Sequence, residues 1–179
     1  PGAPGRRARG GRGSRGGVTS LRMAHLDSPE PDLTTWTDAD RAAYEGAARL
    51  ASMRRLLAAC PPLAAPFLRA YAAAFEAECG LTRVERELVA AVVAITNRCP
   101  TLAEQHLATL AEEGVQPAVT DAVRRDYRLA RLEPRSRALL DYTVLVNDDV
   151  HLVSKATLDE LRQTHSLETA DLVVLTHVI

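Results

Sequence analysis

The chain has 179 residues, with 22 basic and 23 acidic side chains, a net charge of −1, and 46% apolar residues that are mostly Ala, Leu and Val. That is enough chain for one proper hydrophobic core, and the balance favours helix over sheet. No apolar run approaches the roughly 20 residues that a membrane-spanning helix needs, so we expect a soluble domain with no membrane partner.

The near-neutral charge hides an asymmetry. Residues 1–22 hold six Arg and no acid, which leaves 16 basic against 23 acidic residues in the remainder. This Gly/Arg-rich stretch, PGAPGRRARGGRGSRGGVTSLR, cannot build a core and is expected to be disordered. It has no aromatic residue to stack on bases, so a nucleic-acid role is not favoured. Met23 follows it and reads as a natural start, which marks 1–22 as a candidate non-native segment. Residues 23–36 are Pro- and Asp-rich and read as irregular.

Helices then follow in series. Thr37 with Asp40 caps one that runs to about Ala59, where Cys60-Pro61-Pro62 stops it. A second spans about Pro62 to Cys79 and closes at Gly80. Thr82 and Glu85 form a capping-box pattern that starts a third, with Val84, Leu88, Val89, Ala91, Val92 and Ile95 on one face. Pro100 suits the first turn of a fourth, disfavours helical geometry at Cys99, and the helix stops at Gly114. Further helices are expected over Pro117–Arg128, Pro134–Val146, Ser154 or Lys155 to Thr164, and Leu167–Ile179. The last ends inside an apolar face, DLVVLTHVI. Together with the absent initial Met, this leads us to expect a fragment with an apolar end that binds something.

Chemistry-bearing residues concentrate in LTRVERELVAAVVAITNRCPTLAEQHLATLAEEG, residues 81–114. Cys99 falls at a helix N-terminus, where the backbone dipole favours a thiolate. His106 lies two turns, roughly 10 Å, further along nearly the same face, which is too far for a direct hydrogen bond. The residue that can touch His106 from the preceding turn is Leu102. Taken alone, Glu87 is a salt-bridged carboxylate, Cys99 a buried structural thiol, and His106 a core or surface histidine. Cys60, Cys79 and Cys99 form an odd set without a close pair, which fits a reducing cytoplasm and apolar filler roles for the first two. No close ligand pair for zinc and no Gly-rich phosphate loop appears, so neither a metal nor a cofactor is expected.

Glu87, eleven residues, Cys99, two residues, position 102, three residues, His106: this spacing resembles the E-x(11)-C-x-x-C-x-x-x-H signature of the alkylhydroperoxidase D-like / carboxymuconolactone decarboxylase family. LTRVERELVA and RRDYRLARLEPRSRALLDYTVLV are similar to its peroxidase-related branch, and the likeness runs from about residue 50 to the end. The resemblance implies an all-α, multi-helix domain over residues 37–179, truncated at its C-terminus, that oligomerises with copies of itself. It also implies roles for Glu87, Cys99 and His106. In redox-active members two cysteines form a disulfide, the second attacks the peroxide, and Glu and His relay the proton. Leu102 stands in the place of that second cysteine, so a two-cysteine cycle at this site is not available.

The function expected from the resemblance is thiol-dependent reduction of organic hydroperoxides, weakened by Leu102. An external thiol, Cys60 or Cys79 would serve as reductant. Two alternatives stay open. The spacing from His106 to Gly114 also fits the decarboxylase branch, with His106 as general acid or base on a carboxylated substrate held by an arginine such as Arg98. The third is a non-catalytic helical oligomer.

Overall fold

A computed structural model of the chain describes residues 32–50, 57 and 59–179. The expected disorder of residues 1–22 and most of the irregular stretch after it lie outside the described residues. The described part is all-α, with no strand among these residues. The helices are α1 (Asp38–Gly46), α2 (Pro61–Glu76), α3 (Arg83–Thr96), α4 (Pro100–Glu112), α5 (Pro117–Asp126), α6 (Pro134–Asp149), α7 (Lys155–His165) and α8 (Thr169–Val178). None of them is long and apolar enough to cross a membrane.

The centre is α3. Its apolar face puts Leu88, Val89, Ala91 and Val92 at 3% exposure or less, and each buried Leu or Val contributes roughly 1.5–3 kcal/mol. It packs against α4, α6 and α8, with lesser contacts to α2 and α5. A second, smaller cluster joins Trp36, Ala43, Tyr44 and Ala47 to Ala64, Ala65 and Leu68 of α2. Within it, Trp36 and Tyr44 meet edge to face with centroids 5.7 Å apart.

Several boundaries differ from the sequence reading, for identifiable reasons. The first helix ends at Gly46, and a 3-10 turn, Ala47–Leu50, follows it. The turn buries Ala47 and Leu50, a gain that continued α-helix through a glycine would have to outweigh. The rest of the expected helix, 51–56 and 58, lies outside the described residues. Helix α2 stops at Glu76 instead of Cys79, because the Arg86 guanidinium binds the carbonyls of Phe75, at 2.6 Å, and of Ala77. Those are carbonyls that a helix end leaves unsatisfied. Helix α8 packs on α2 and α3 with Leu175 and Val178 buried, while Val173 stays 56% exposed. Cys60 is exposed at the start of α2 and is no core filler, whereas Cys79 is half-buried.

The N-terminus of α3 is held by a polar network. The capping box forms as expected, with Thr82 N–H donating to Glu85 Oε2 at 2.8 Å. The other oxygen of Glu85 accepts from Arg135 Nε at 2.7 Å, and Arg135 also donates to the carbonyls of Gly80 and His165. The carboxylate of Asp171, 2% exposed, accepts from Gly80 N at 2.6 Å and from Glu168 N at 2.8 Å. A Cβ on Gly80 would lie 2.7 Å from Asp171 Oδ2, so close approach, more than helix termination, is what glycine provides there.

Burial opposes ionisation of Asp171. The backbone donors of Glu168 and Gly80, the Cys79 thiol and the charge of Arg135 outweigh it and hold the carboxyl below its usual value. A depressed folded value stabilises the fold above the unfolded carboxyl pKa of about 3.9, and that stability is lost as pH falls through the folded value. Asp171→Asn should therefore cost about 1–3 kcal/mol at pH 7, with the deficit shrinking below about pH 4. Urea unfolding at pH 7 and pH 3 reads both, and an equal deficit at the two pH values would contradict this account.

Candidate functional site

Glu87 lies one turn into α3, on the face turned toward α4, and is 1% exposed. Helices α3 and α4 form a tight hairpin. After Thr96 the chain closes a Schellman-type end: Arg98 N–H donates to Ile95 O at 3.0 Å and Cys99 N–H to Ala94 O at 2.8 Å. Arg98 takes the left-handed conformation, φ 54°, which glycine usually fills. Cys99 is then the N-cap of α4 with non-helical backbone angles (φ −105°, ψ 80°), and Pro100 stands in the first turn, as the sequence indicates.

The antiparallel return brings His106 of α4 against the start of α3. His106 Nδ1 lies 2.7 Å from Glu87 Oε2. The other carboxylate oxygen, Oε1, lies 2.8 Å from Arg83 Nη2. Phe75 of α2 completes the group: its ring stacks on the His106 imidazole with centroids 5.8 Å apart and planes 10° apart. The Arg83 guanidinium carbon lies 5.5 Å from the centroid of the same ring. With Nδ1 engaged by a buried carboxylate, Nε2 is the ring nitrogen left for proton transfer.

Two cavities meet at His106. One, of about 220 Å³, is polar and is walled by Arg83, Glu87, Gln105, Thr109 and Glu76. The other, of about 210 Å³, is largely apolar and is walled by Cys99, Leu102, Phe67, Val93 and His177. Leu50, Tyr71, Phe75 and His106 line both. The imidazole therefore stands between a polar compartment and an apolar one that contains the Cys99 thiol.

The structure thus joins Glu87 and His106 by direct contact and places Cys99 on a cavity wall that His106 also lines. Leu102 stands on that wall as well, where the signature would have a second thiol. Cys99 and the other two cysteines are free. Cys79 lies beyond the opposite end of α3, which is about 20 Å long, and its sulfur accepts from Arg86 Nη2 at 3.0 Å. Arg98, expected to hold a substrate carboxylate, is exposed and lines neither cavity. The guanidinium of the site belongs to Arg83. Its signal in the sequence was the i,i+4 spacing to Glu87. Phe75 and Tyr71 had no signal beyond helical periodicity. Among the described residues, no group of three or more His, Cys, Asp or Glu side chains is gathered to hold a metal ion.

Comparison with known proteins finds the same fold. The profile of the carboxymuconolactone decarboxylase family matches residues 61–145. An uncharacterized peroxidase-related protein from Silicibacter sp. TM1040 shares the fold at a TM-score of 0.70 and 23% identity, over 86% of this chain and 81% of that one. An uncharacterized peroxidase-related protein from Ralstonia eutropha JMP134, described as an alkylhydroperoxidase AhpD core, superposes at a TM-score of 0.70 with 27% identity, over 84% and 80% of the two chains. No functionally curated protein matches at a significant level.

Removing the shared carboxylate should be felt in stability. Glu87→Ala leaves two cationic or polar partners without their acceptor and opens a small void, at a cost of about 2–4 kcal/mol. Guanidinium unfolding at neutral pH measures it. A change below about 0.5 kcal/mol, the scale of an ordinary surface substitution, would mean that the carboxylate does not hold α3 to α4.

Proposed function

We propose that Cys99 reduces hydroperoxides at the apolar cavity with His106 and Glu87 moving the protons, in a chain whose residues 61–145 match the model of the carboxymuconolactone decarboxylase family. The single observation that carries this reading is the placement of His106. It is bonded to the buried Glu87 on one side, and it lines the cavity that holds Cys99. The fold shared with peroxidase-related proteins supports the same class.

The chemistry follows from the residues. His106, held by Glu87, accepts the Cys99 proton across the cavity through a water. The thiolate attacks the terminal, hydrogen-bearing oxygen of the hydroperoxide. The S–O bond forms as the O–O bond breaks, and His106 returns the proton to the departing alkoxide, giving an alcohol and a Cys99 sulfenic acid. Because Leu102 offers no sulfur, an external thiol condenses with the sulfenic acid, releasing water and forming a mixed disulfide. A second thiol then restores Cys99. Apolar walls suit an organic hydroperoxide with an alkyl or aryl body. Assembly with copies of itself belongs to the same reading. It is supported by the exposed apolar pair Leu63 and Phe67 on one face of α2, and light scattering on the purified protein reads it.

A second reading is favoured by one observation: Arg83 and His106 share a cavity whose walls do not include Cys99. His106 would then serve as general acid or base on a carboxylated substrate that Arg83 holds.

One set of variants separates the two. In the peroxidase reading, Cys99→Ser abolishes thiol-dependent consumption of cumene hydroperoxide, and His106→Ala lowers it about a hundredfold or more. Consumption that survives Cys99→Ser unchanged would remove the thiol from the chemistry. If His106→Ala alone then abolishes turnover of a carboxylated lactone, the second reading takes its place.

A further inference from the structure

Two polar atoms on the wall of the polar cavity are out of solvent and unanswered. Arg83 Nε and Gln105 Oε1 are both buried, and neither has a hydrogen-bond partner among the described residues. Both residues line the cavity of about 220 Å³ beside His106. Buried donors and acceptors are almost always paired, so an unpaired one of each kind on a single wall calls for a group that answers both. The Arg83 guanidinium is held in place there. Its Nη2 lies 2.8 Å from Glu87 Oε1, and its carbon lies 5.5 Å from the Phe75 centroid. Thr109, 3% exposed, adds a further acceptor, because its hydroxyl donates its proton to the Gln105 carbonyl at 3.1 Å. The wall therefore combines a donor with two acceptors, and Phe75, Tyr71 and Leu50 supply apolar surface beside them.

We propose that this cavity binds the primary amide of a small, uncharged ligand, whose oxygen accepts from Arg83 Nε and whose NH2 group donates to Gln105 Oε1 and Thr109 Oγ1. A primary amide carries an acceptor and two N–H donors on one planar group, the complement of that wall. A carboxylate offers acceptors alone. It would answer Arg83 Nε but set an acceptor against Gln105 Oε1, and it would add negative charge to a wall that already carries Glu87 and Glu76. The body of the ligand has Phe75, Tyr71 and Leu50 to lie against. An apolar cavity of roughly 150 Å³ already holds a benzene ring, so about 220 Å³ takes a ring with an amide on it. Cys99 is not on this wall. The site therefore stands apart from the thiol chemistry, and its ligand differs from the carboxylated substrate of the second reading.

The probe is benzamide, with benzoate as its charged isostere. Each is titrated at neutral pH into isotope-labelled protein, and the backbone amide NMR spectrum is followed. Benzamide should give saturable shifts centred on Gln105, Thr109 and Ala47, and should bind about tenfold tighter than benzoate. This comparison uses the unaltered protein, so it needs no variant to fold. Gln105→Leu keeps the bulk of the side chain but removes the acceptor, and should weaken benzamide about tenfold. Arg83→Lys keeps the charge but removes the Nε donor, and should weaken it to a similar extent. The same spectra show whether each variant retains the fold. No saturable shift with benzamide overturns the proposal. So do shifts centred on Cys99 and Leu102 in the apolar cavity, and so does an affinity unchanged in both variants. Binding of benzoate as tight as that of benzamide also overturns it. That result would mean that Gln105 turns its NH2 group into the cavity to meet a carboxylate, as the second reading requires. Because binding needs no turnover, an absence of peroxidase activity would remove the reading of Cys99 without touching this result.

Discussion

The capped and clamped N-terminus of α3 is the constraint on which the rest of the structure depends. Glu85 serves two partners at once. One oxygen closes the capping box with Thr82, and the other pairs with Arg135 of α6. Arg135 in turn reaches the carbonyls of Gly80 and His165, while Asp171 at the start of α8 accepts from Gly80. One turn of helix is thereby fastened to α6, α8 and the loop before it. Buried charges held this way are costly unless every hydrogen-bonding position is filled, and here the partners are supplied from elements far apart in sequence.

Rigidity at that turn is what the site needs. Glu87 lies two residues beyond Glu85, so fixing the start of α3 fixes the carboxylate that orients His106. The hairpin to α4 sets the other coordinate, because Arg98 and Cys99 close the end of α3 before Pro100 starts the return. Phe75, delivered by α2, then fixes the plane of the imidazole. The result is one histidine between a polar compartment with Arg83 and an apolar one with Cys99.

Much of this was legible in the residues, and the rest was not for physical reasons. The capping box at Thr82, the break at Pro100 and the stop at Gly114 are local signals. Each depends on the chemistry of residues within one turn, and each is found where the sequence puts it. The end of α2 is not legible locally because the group that stops it, Arg86, belongs to the next helix. Composition suggests a core filler at Cys60 because it says what a thiol prefers, not which side of a helix faces inward. Arg98 suggests itself for a substrate carboxylate because it stands next to Cys99 in the chain, yet its left-handed backbone turns the chain at the outer end of the hairpin.

By itself the sequence determined that this is an all-helical chain, where α3 and α4 begin and end, and that Glu87, Cys99 and His106 belong to one segment. Those properties follow from backbone geometry and side-chain periodicity, which act over a few residues. Only the tertiary structure decided that Glu87 bonds His106, that Arg83 shares the same carboxylate, and that Cys99 looks into a different cavity from Arg83. Helical spacing fixes the face a residue occupies on its own helix. The neighbour it meets there is fixed by the packing of α2, α3 and α4 against one another, which no local pattern encodes.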